Sequence, residues 1–331
     1  MPKATVEAPS NIAFIKYWGA KDLDEAIPAG PSLSMTLQRC ASRTTAVFHE
    51  GEDGPDEVLV AHNTDDLAPA GDAFRRPIVR HLRRLCKWAD KEGRFQIATR
   101  NSFPSSAGLA SSASGFAALT LAVLRAIGVA PDRATQSVLA RQSGSGSAAR
   151  SVMGGYVAWP EGDRHAARQV APHDHWDLRD VIALVETAPK KVASRDGHRR
   201  ANTSPFFEKR LSLLPERMQQ AAAAIETREF EALGEVIETD GVELHLITMS
   251  SVPPIFYWMP ATLAVLEAVR ELRAEGVPAY STMDAGANVH VICEPHHEEQ
   301  VARRLSRVDG VLEVIRDRVG PGPRTDVEPL L

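Results

Sequence analysis

The sequence predicts an α+β chain in two parts, and three observations carry that prediction. Strand-like and helix-like segments mix in both halves without the regular strand–helix–strand succession of a parallel α/β fold. A strand hands over to a helix through a run of small residues at 101–115. A basic, glycine-containing stretch at 190–203 then reads as a loop, so the chain is expected to divide into residues 1–187 and 188–331.

In chain order, the apolar run 12–15 and the β-rich run 44–48 read as strands flanking a Pro/Gly/Ser loop at 28–34, and 51–71 reads as a polar loop. From 74 to 90, Ile78, Val79, Leu82, Leu85 and Cys86 recur every three or four positions, as a helix with one buried face requires. After Gly93 come a short strand at 95–99, the small-residue run, and a helix to 127 stopped by Gly128. A second small-residue run, 143–155, precedes a strand at 156–159, and 181–187 reads as a buried strand. The C-terminal half carries helices at 205–228 and 261–274, the latter burying Leu263, Leu266, Val269 and Leu272 ahead of Gly276, and a strand at 289–293.

With 331 residues and 44% hydrophobic content the chain can bury substantial cores. Its net charge of -5 argues against a nucleic-acid partner, which would demand a basic excess. Cys40, Cys86 and Cys293 are scattered and odd in number, so neither a disulfide framework nor a CxxC site is expected, and a reducing cytoplasm is the expected location. The start lacks the features of a secretory signal, and no run approaches the roughly 18 apolar residues of a membrane span.

The small-residue run reads Pro104-Ser-Ser-Ala-Gly108-Leu109-Ala-Ser111-Ser112-Ala-Ser-Gly115. Small side chains let backbone close on a polyphosphate, free N–H groups at a helix start point at it, and the helix dipole favours its charge. It matches neither GxxxxGK[ST] nor GxGxxG. It resembles the P-x-x-x-G-L-x-S-S-A signature of the superfamily of galactokinase, homoserine kinase, mevalonate kinase and phosphomevalonate kinase. Further segments resemble the mevalonate diphosphate decarboxylases within it: Ala8-Pro-Ser-Asn11-Ile-Ala-Phe-Ile-Lys16-Tyr17-Trp18-Gly19, Ser143-Gly-Ser145-Gly-Ser147-Ala-Ala-Arg150-Ser151, Lys191-Val-Ala-Ser194-Arg195, and Ser281-Thr-Met-Asp284-Ala-Gly286-Ala-Asn288. These matches span about residues 8–290.

The resemblance implies a two-domain small-molecule kinase fold, with an ATP-binding N-terminal domain like ribosomal protein S5 and a ferredoxin-like α/β sandwich C-terminal domain that binds substrate. It implies ATP and Mg2+, with metal ligands unassigned, and a homodimer. It also gives each residue a role beyond its ordinary reading. Asp284, otherwise an Asx-turn residue, becomes the base or orienting group for the substrate's 3-hydroxyl. Lys16, otherwise a strand-end lysine reaching water, becomes its cationic partner. Arg150 becomes a bidentate partner for the substrate carboxylate, with Ser145 and Ser147 in the same pocket, and Ser111 joins the catalytic set. Tyr17, Ser194 and Arg195 grip the 5-phosphates. Asn101, Ser105, Ser106, Gly108, Leu109, Ala110, Ser111 and Ser112 hold ATP. His173-Asp-His175 lacks a second ligand cluster and reads as surface.

Two departures fall where the terminal phosphate would bind. The family's K-Y-W-G-K ends here in Ala20, followed by Lys21, and Gly30-Pro31 replaces an asparagine-serine element before Ser32-Leu33-Ser34. Losing a cation tips the expectation toward mevalonate 5-phosphate, giving isopentenyl phosphate, over the 5-diphosphate, giving isopentenyl diphosphate. A kinase that phosphorylates without decarboxylating, and a non-catalytic nucleotide-binding member, are the alternatives. Lys16, Arg150 and Asp284 together favour decarboxylation.

Overall fold

The computed structural model describes residues 2–61, 66–103, 111–188 and 190–331. Its strands are β1 (Lys3–Ile15), β2 (Ala20–Asp22), β3 (Ile27–Pro28), β4 (Ser32–Glu50), β5 (Glu57–Ala61), β6 (Ala68–Pro69), β7 (Gly93–Asn101), β8 (Tyr156–Glu161), β9 (Ala166–Ala171), β10 (Arg179–Leu184), β11 (Ala279–Thr282), β12 (Val289–Cys293) and β13 (Glu313–Arg318). Its helices are α1 (Asp72–Ala89), α2 (Ser111–Ala126), α3 (Arg133–Arg141), α4 (Ala148–Ser151), α5 (Ser194–Arg200), α6 (Phe207–Thr227), α7 (Phe230–Met249), α8 (Pro260–Ala274) and α9 (Glu298–Leu305). The expected mixture of strands and helices in both halves is present.

The first sheet runs β6-β5-β7-β4-β8-β9, with β1 also paired to β4. The start of β4 pairs with β8 and its end with β7, while β1 follows it antiparallel along most of its length. Register shifts between Pro9 and Asn11 and between Ala13 and Ile15 interrupt β1 just before Lys16. Irregularities of this kind bend a strand and re-aim its side chains. Helix α2 packs on β1 and β4 through small residues such as Ala117, Ala118 and Ala122, all fully buried.

The second sheet, β11-β12-β10-β13, is antiparallel throughout. Strand β10 alternates with period two. Val181 and Ala183 join the core under α8 and α9, whereas Ile182 and Leu184 join a core that also holds Phe14, Leu33 and Met35 of the first sheet and Leu214, Ile225, Phe230 and Ile237 of α6 and α7. The expected division at 187/188 assigns β10 to the first half, yet all its partners are β12 and β13.

Three segments differ from the sequence-based expectation. The polar loop at 51–71 contains β5 and the edge strand β6, both too short to show a period. The loop expected at 190–203 is largely helical, being α5 followed by a 3-10 turn, Ala201–Thr203. The 20-residue α7 lies where no helix is expected. Among the described residues no helix is long and apolar enough to cross a membrane.

Candidate active site

The buried run Ile12 to Ile15 carries the chain into the interior, so the next residue, Lys16, arrives only 2% exposed. Its ammonium donates to Asp284 Oδ1 at 2.9 Å. Asp284 lies in the turn between β11 and β12, where its carboxylate keeps 26% exposure. Burial works to raise this carboxyl, but the Lys16 charge and hydrogen bond, with smaller contributions from His290 and Lys190, hold it below its ordinary value. Asp284 is therefore a carboxylate that keeps its charge and one open side.

The backbone of Lys16 is clamped as well. Its N–H donates to Asp240 Oδ1 at 2.7 Å, and Arg210 donates to its carbonyl at 3.3 Å. Asp240, on α7 and completely buried, also accepts from Arg210 at 2.9 Å and Arg217 at 3.4 Å. Glu243 completes the group by accepting from both arginines.

Arg150, in the short helix α4, is 2% exposed. Its guanidinium donates to Asn11 Oδ1 at 3.0 and 3.2 Å and to Ser32 Oγ at 2.6 Å. Among the described residues it makes no ion pair. Burial brings its pKa down to about 10, against the opposing pull of Asp284. A desolvated guanidinium fixed by neutral partners is suited to an incoming carboxylate. Nearby, a Cβ on Gly146 would lie 2.6 Å from the Tyr17 ring and 2.9 Å from Trp159. Gly146→Ala is accordingly expected to displace Tyr17 and lower kcat/KM about 10–100-fold, with the fold kept, measured by steady-state kinetics.

Lys16, Tyr17, Ser112, Ser145, Ser147, Arg150, Ser194, Arg195 and Asp284 all line one cleft of about 660 Å³. The sequence reasoning thus names residues from β1 to the β11–β12 turn that the fold brings together. Arg195 donates to Asp24 at 2.5 Å. Tyr17 packs edge-on against Trp159, and burial raises its phenol to about 12, so it stays a hydrogen-bond donor.

Ser111 is placed differently. It opens α2 and lines a second, mostly apolar cavity of about 370 Å³, together with Asn101, Val60, Ile78, Ile97 and Leu119, rather than the cleft of Lys16 and Asp284. Asn101 accepts from Ser42 at 2.6 Å. Ser112, Ala73, Pro77 and Phe116 line both spaces, so the two adjoin. Ser105, Ser106, Gly108, Leu109 and Ala110 lie outside the described residues.

The sequence reasoning passes over Arg76 and Arg80, one turn apart on the face of α1 that looks into the cleft. The signal is present as two cations opposite the apolar stripe used to recognise that helix. With Lys16, Arg150, Lys190 and Arg195 they make the lining strongly cationic, against the carboxylate of Asp284 as the one acidic group there among the described residues. Such a field concentrates polyanions.

The chain matches two family models, the diphosphomevalonate decarboxylase-like N-terminal domain over residues 8–170 and the mevalonate 5-diphosphate decarboxylase C-terminal domain over 181–325. It is 33% identical to the diphosphomevalonate decarboxylase of Ganoderma lucidum, over 96% of this chain and 85% of that protein. The chain belongs to the diphosphomevalonate decarboxylase family. Among solved family members, the mevalonate diphosphate decarboxylase from Staphylococcus aureus superposes with a TM-score of 0.89 at 32% identity, covering 98% of this chain and 97% of that one. Another, a complex with MVAPP, AMPPCP and magnesium, gives 0.88 at 34% identity, covering 97% and 98%.

These decarboxylases are named for the diphosphate, and nothing among them supports the tilt toward mevalonate 5-phosphate drawn from Ala20. The structure supplies a physical reason. The cleft holds Arg76, Arg80 and Lys190 in addition to Arg195, so one missing lysine leaves it far from short of positive charge. Among the described residues no group of three or more His, Cys, Asp or Glu could hold a metal; of the segment expected at the surface, His173 and Asp174 are exposed, whereas His175 is half-buried with its Nε2 2.8 Å from the Ile225 carbonyl oxygen. A cleft with one carboxylate among the described residues suits Mg2+ carried chiefly by phosphates and water, the ion's usual habit.

Proposed function

We propose that this chain converts mevalonate 5-diphosphate and ATP to isopentenyl diphosphate, ADP, phosphate and CO2. The observation that carries the reading is the Lys16–Asp284 pair at 2.9 Å, within the same cleft as the buried Arg150. Asp284 orients the 3-hydroxyl and takes its proton as the oxygen attacks the γ-phosphate of ATP. Lys16 keeps that carboxylate ionised and counters charge during transfer. Arg150 holds the C1 carboxylate in line with the 3-phosphate. The C1–C2 bond then breaks, its electron pair forms the alkene, and phosphate departs with CO2.

Tyr17, Ser194 and Arg195 bind the 5-phosphates, with Arg76, Arg80 and Lys190 supplying further charge. The apolar cavity beside α2 takes the adenine, and Ser111 and Ser112 at the helix start meet the nucleotide's phosphates. Mg2+ bound with the nucleotide offsets charge on the transferred group. Since positioning and charge do the catalysis, no covalent enzyme intermediate is required.

The test is ATP-dependent CO2 release with mevalonate 5-diphosphate and 5-phosphate compared by kcat/KM. Higher kcat/KM on the diphosphate is expected. A clear preference for the monophosphate overturns the substrate assignment, and ADP formation without CO2 leaves a kinase.

The pH profile gives a second check. Asp284 sits below its ordinary value of 3.8, so the folded state favours its charged form. That contribution to stability is full above the ordinary value and is lost as pH falls through the folded one. The kcat/KM profile is therefore expected to show no acid limb from this carboxylate at pH 5 or above, and an Asp284-dependent limb near neutrality would refute this.

A further inference from the structure

His198 is the one histidine lining the cleft among the described residues, and nothing in the mechanism above uses it. It belongs to α5, one turn beyond Ser194 and Arg195. Its ring stacks on Tyr17 with centroids 4.2 Å apart and on Trp18 at 4.7 Å. The stack ties α5 to the start of the chain, and it works only because Gly197 has no side chain, since a Cβ there would meet the Trp18 ring at 2.3 Å.

The hydrogen-bond pattern fixes the tautomer. Gly19 donates its backbone N–H to His198 Nδ1 at 3.1 Å, so Nδ1 presents a lone pair and the ring hydrogen sits on Nε2. Burial lowers the ring pKa to about 3, with the Arg195 charge adding to that effect, so the ring is neutral in the working range. Among the described residues Nε2 has no hydrogen-bond partner, yet it is not among the buried atoms sealed from solvent. A donor is thus held in one orientation at the wall of the cleft, beside Tyr17, Ser194 and Arg195, with no acceptor for it among the described residues.

We propose that His198 Nε2–H is a specificity-determining donor to the 5-phosphate oxygens of the substrate, pre-aimed by the Gly19 N–H. This rests on the functional reading above and deepens it. Ala20 leaves the neighbouring position without a cation, and a neutral N–H that is pre-oriented recognises phosphate oxygens by direction rather than by charge.

Two substitutions separate the two nitrogens. Asparagine places its carbonyl near Nδ1 and can keep the Gly19 anchor, whereas glutamine places its amide near Nε2 and can keep the donor. His198→Gln is expected to stay within about threefold of the parent in KM for mevalonate 5-diphosphate. His198→Asn is expected to raise that KM, and the calorimetric Kd for the same ligand, about 10–100-fold, the range of a hydrogen bond to a charged group, while KM for ATP is unchanged. Should His198→Asn fail to fold, His198→Phe, which keeps the stack and removes both nitrogens, is expected to show the same loss. If asparagine behaves like the parent, or glutamine is as impaired as asparagine, the donor role is overturned and the ring only anchors the loop. A parent enzyme that binds ligand with this variant order but releases no CO2 overturns the functional reading alone.

Discussion

Replacing Asp284 with asparagine is expected to lower kcat by about 10²–10⁴-fold, the usual contribution of a positioned acid–base group. The amide keeps the size of the side chain but can neither take the hydroxyl proton nor hold a charge opposite Lys16. Because Lys16 is almost wholly buried, its ammonium would lose its ion pair without gaining solvent. Lys16→Met is expected to reduce kcat through the same unit, so the double variant should be hardly worse than the poorer single one. Single-turnover release of ADP and CO2 checks both points. Full additivity of the two losses would show that the residues act separately.

The largest expected effect on stability lies one layer deeper, at Asp240. Asp240→Ala strips the acceptor from the Lys16 N–H and leaves Arg210, 2% exposed, with Glu243 as its one remaining carboxylate partner among the described residues, beside the Lys16 carbonyl. Breaking a buried ionic group from one side destabilises by about 3–5 kcal/mol. Urea unfolding should show a lower midpoint at unchanged m, and kcat should fall as well because the lysine backbone is released. Asp240→Asn, which keeps an acceptor for that N–H, should be milder in activity than in stability. An alanine variant with parental midpoint and rate would show that the clamp is idle.

Legibility in the sequence followed the strength of local signals. Lys16, Arg150 and Asp284 were found through short segments that resemble those of the mevalonate diphosphate decarboxylases, since each alone reads as an ordinary turn or surface residue, and the fold brings them to one cleft from widely separated positions. Helix α1 announced itself by its apolar period and α2 by the strand-to-helix handover. Helix α7 did not, and it carries two residues of poor helix propensity, Gly234 and Gly241. Both are demanded by packing: a Cβ at Gly234 would lie 2.1 Å from the Tyr280 ring, and one at Gly241 would lie 3.0 Å from Thr282 Oγ1. Asp240 was invisible as well, since nothing local tells that a carboxylate on an unrecognised helix will cap a backbone N–H 224 residues away. The stretch at 190–203 misled through its charges, because Lys190 and Arg195 face the cleft while Gly197 packs under Trp18, and no apolar stripe marks the helix.

The core that takes Phe14 from one sheet, Ile292 from the other and Ile237 from between them belongs to neither half. Cutting the chain between the two sheets would bare both sides of that seam at once, so neither fragment is expected to fold as a portable module. Heat should melt the molecule in one step, the loss of phosphoryl chemistry coinciding with the loss of structure.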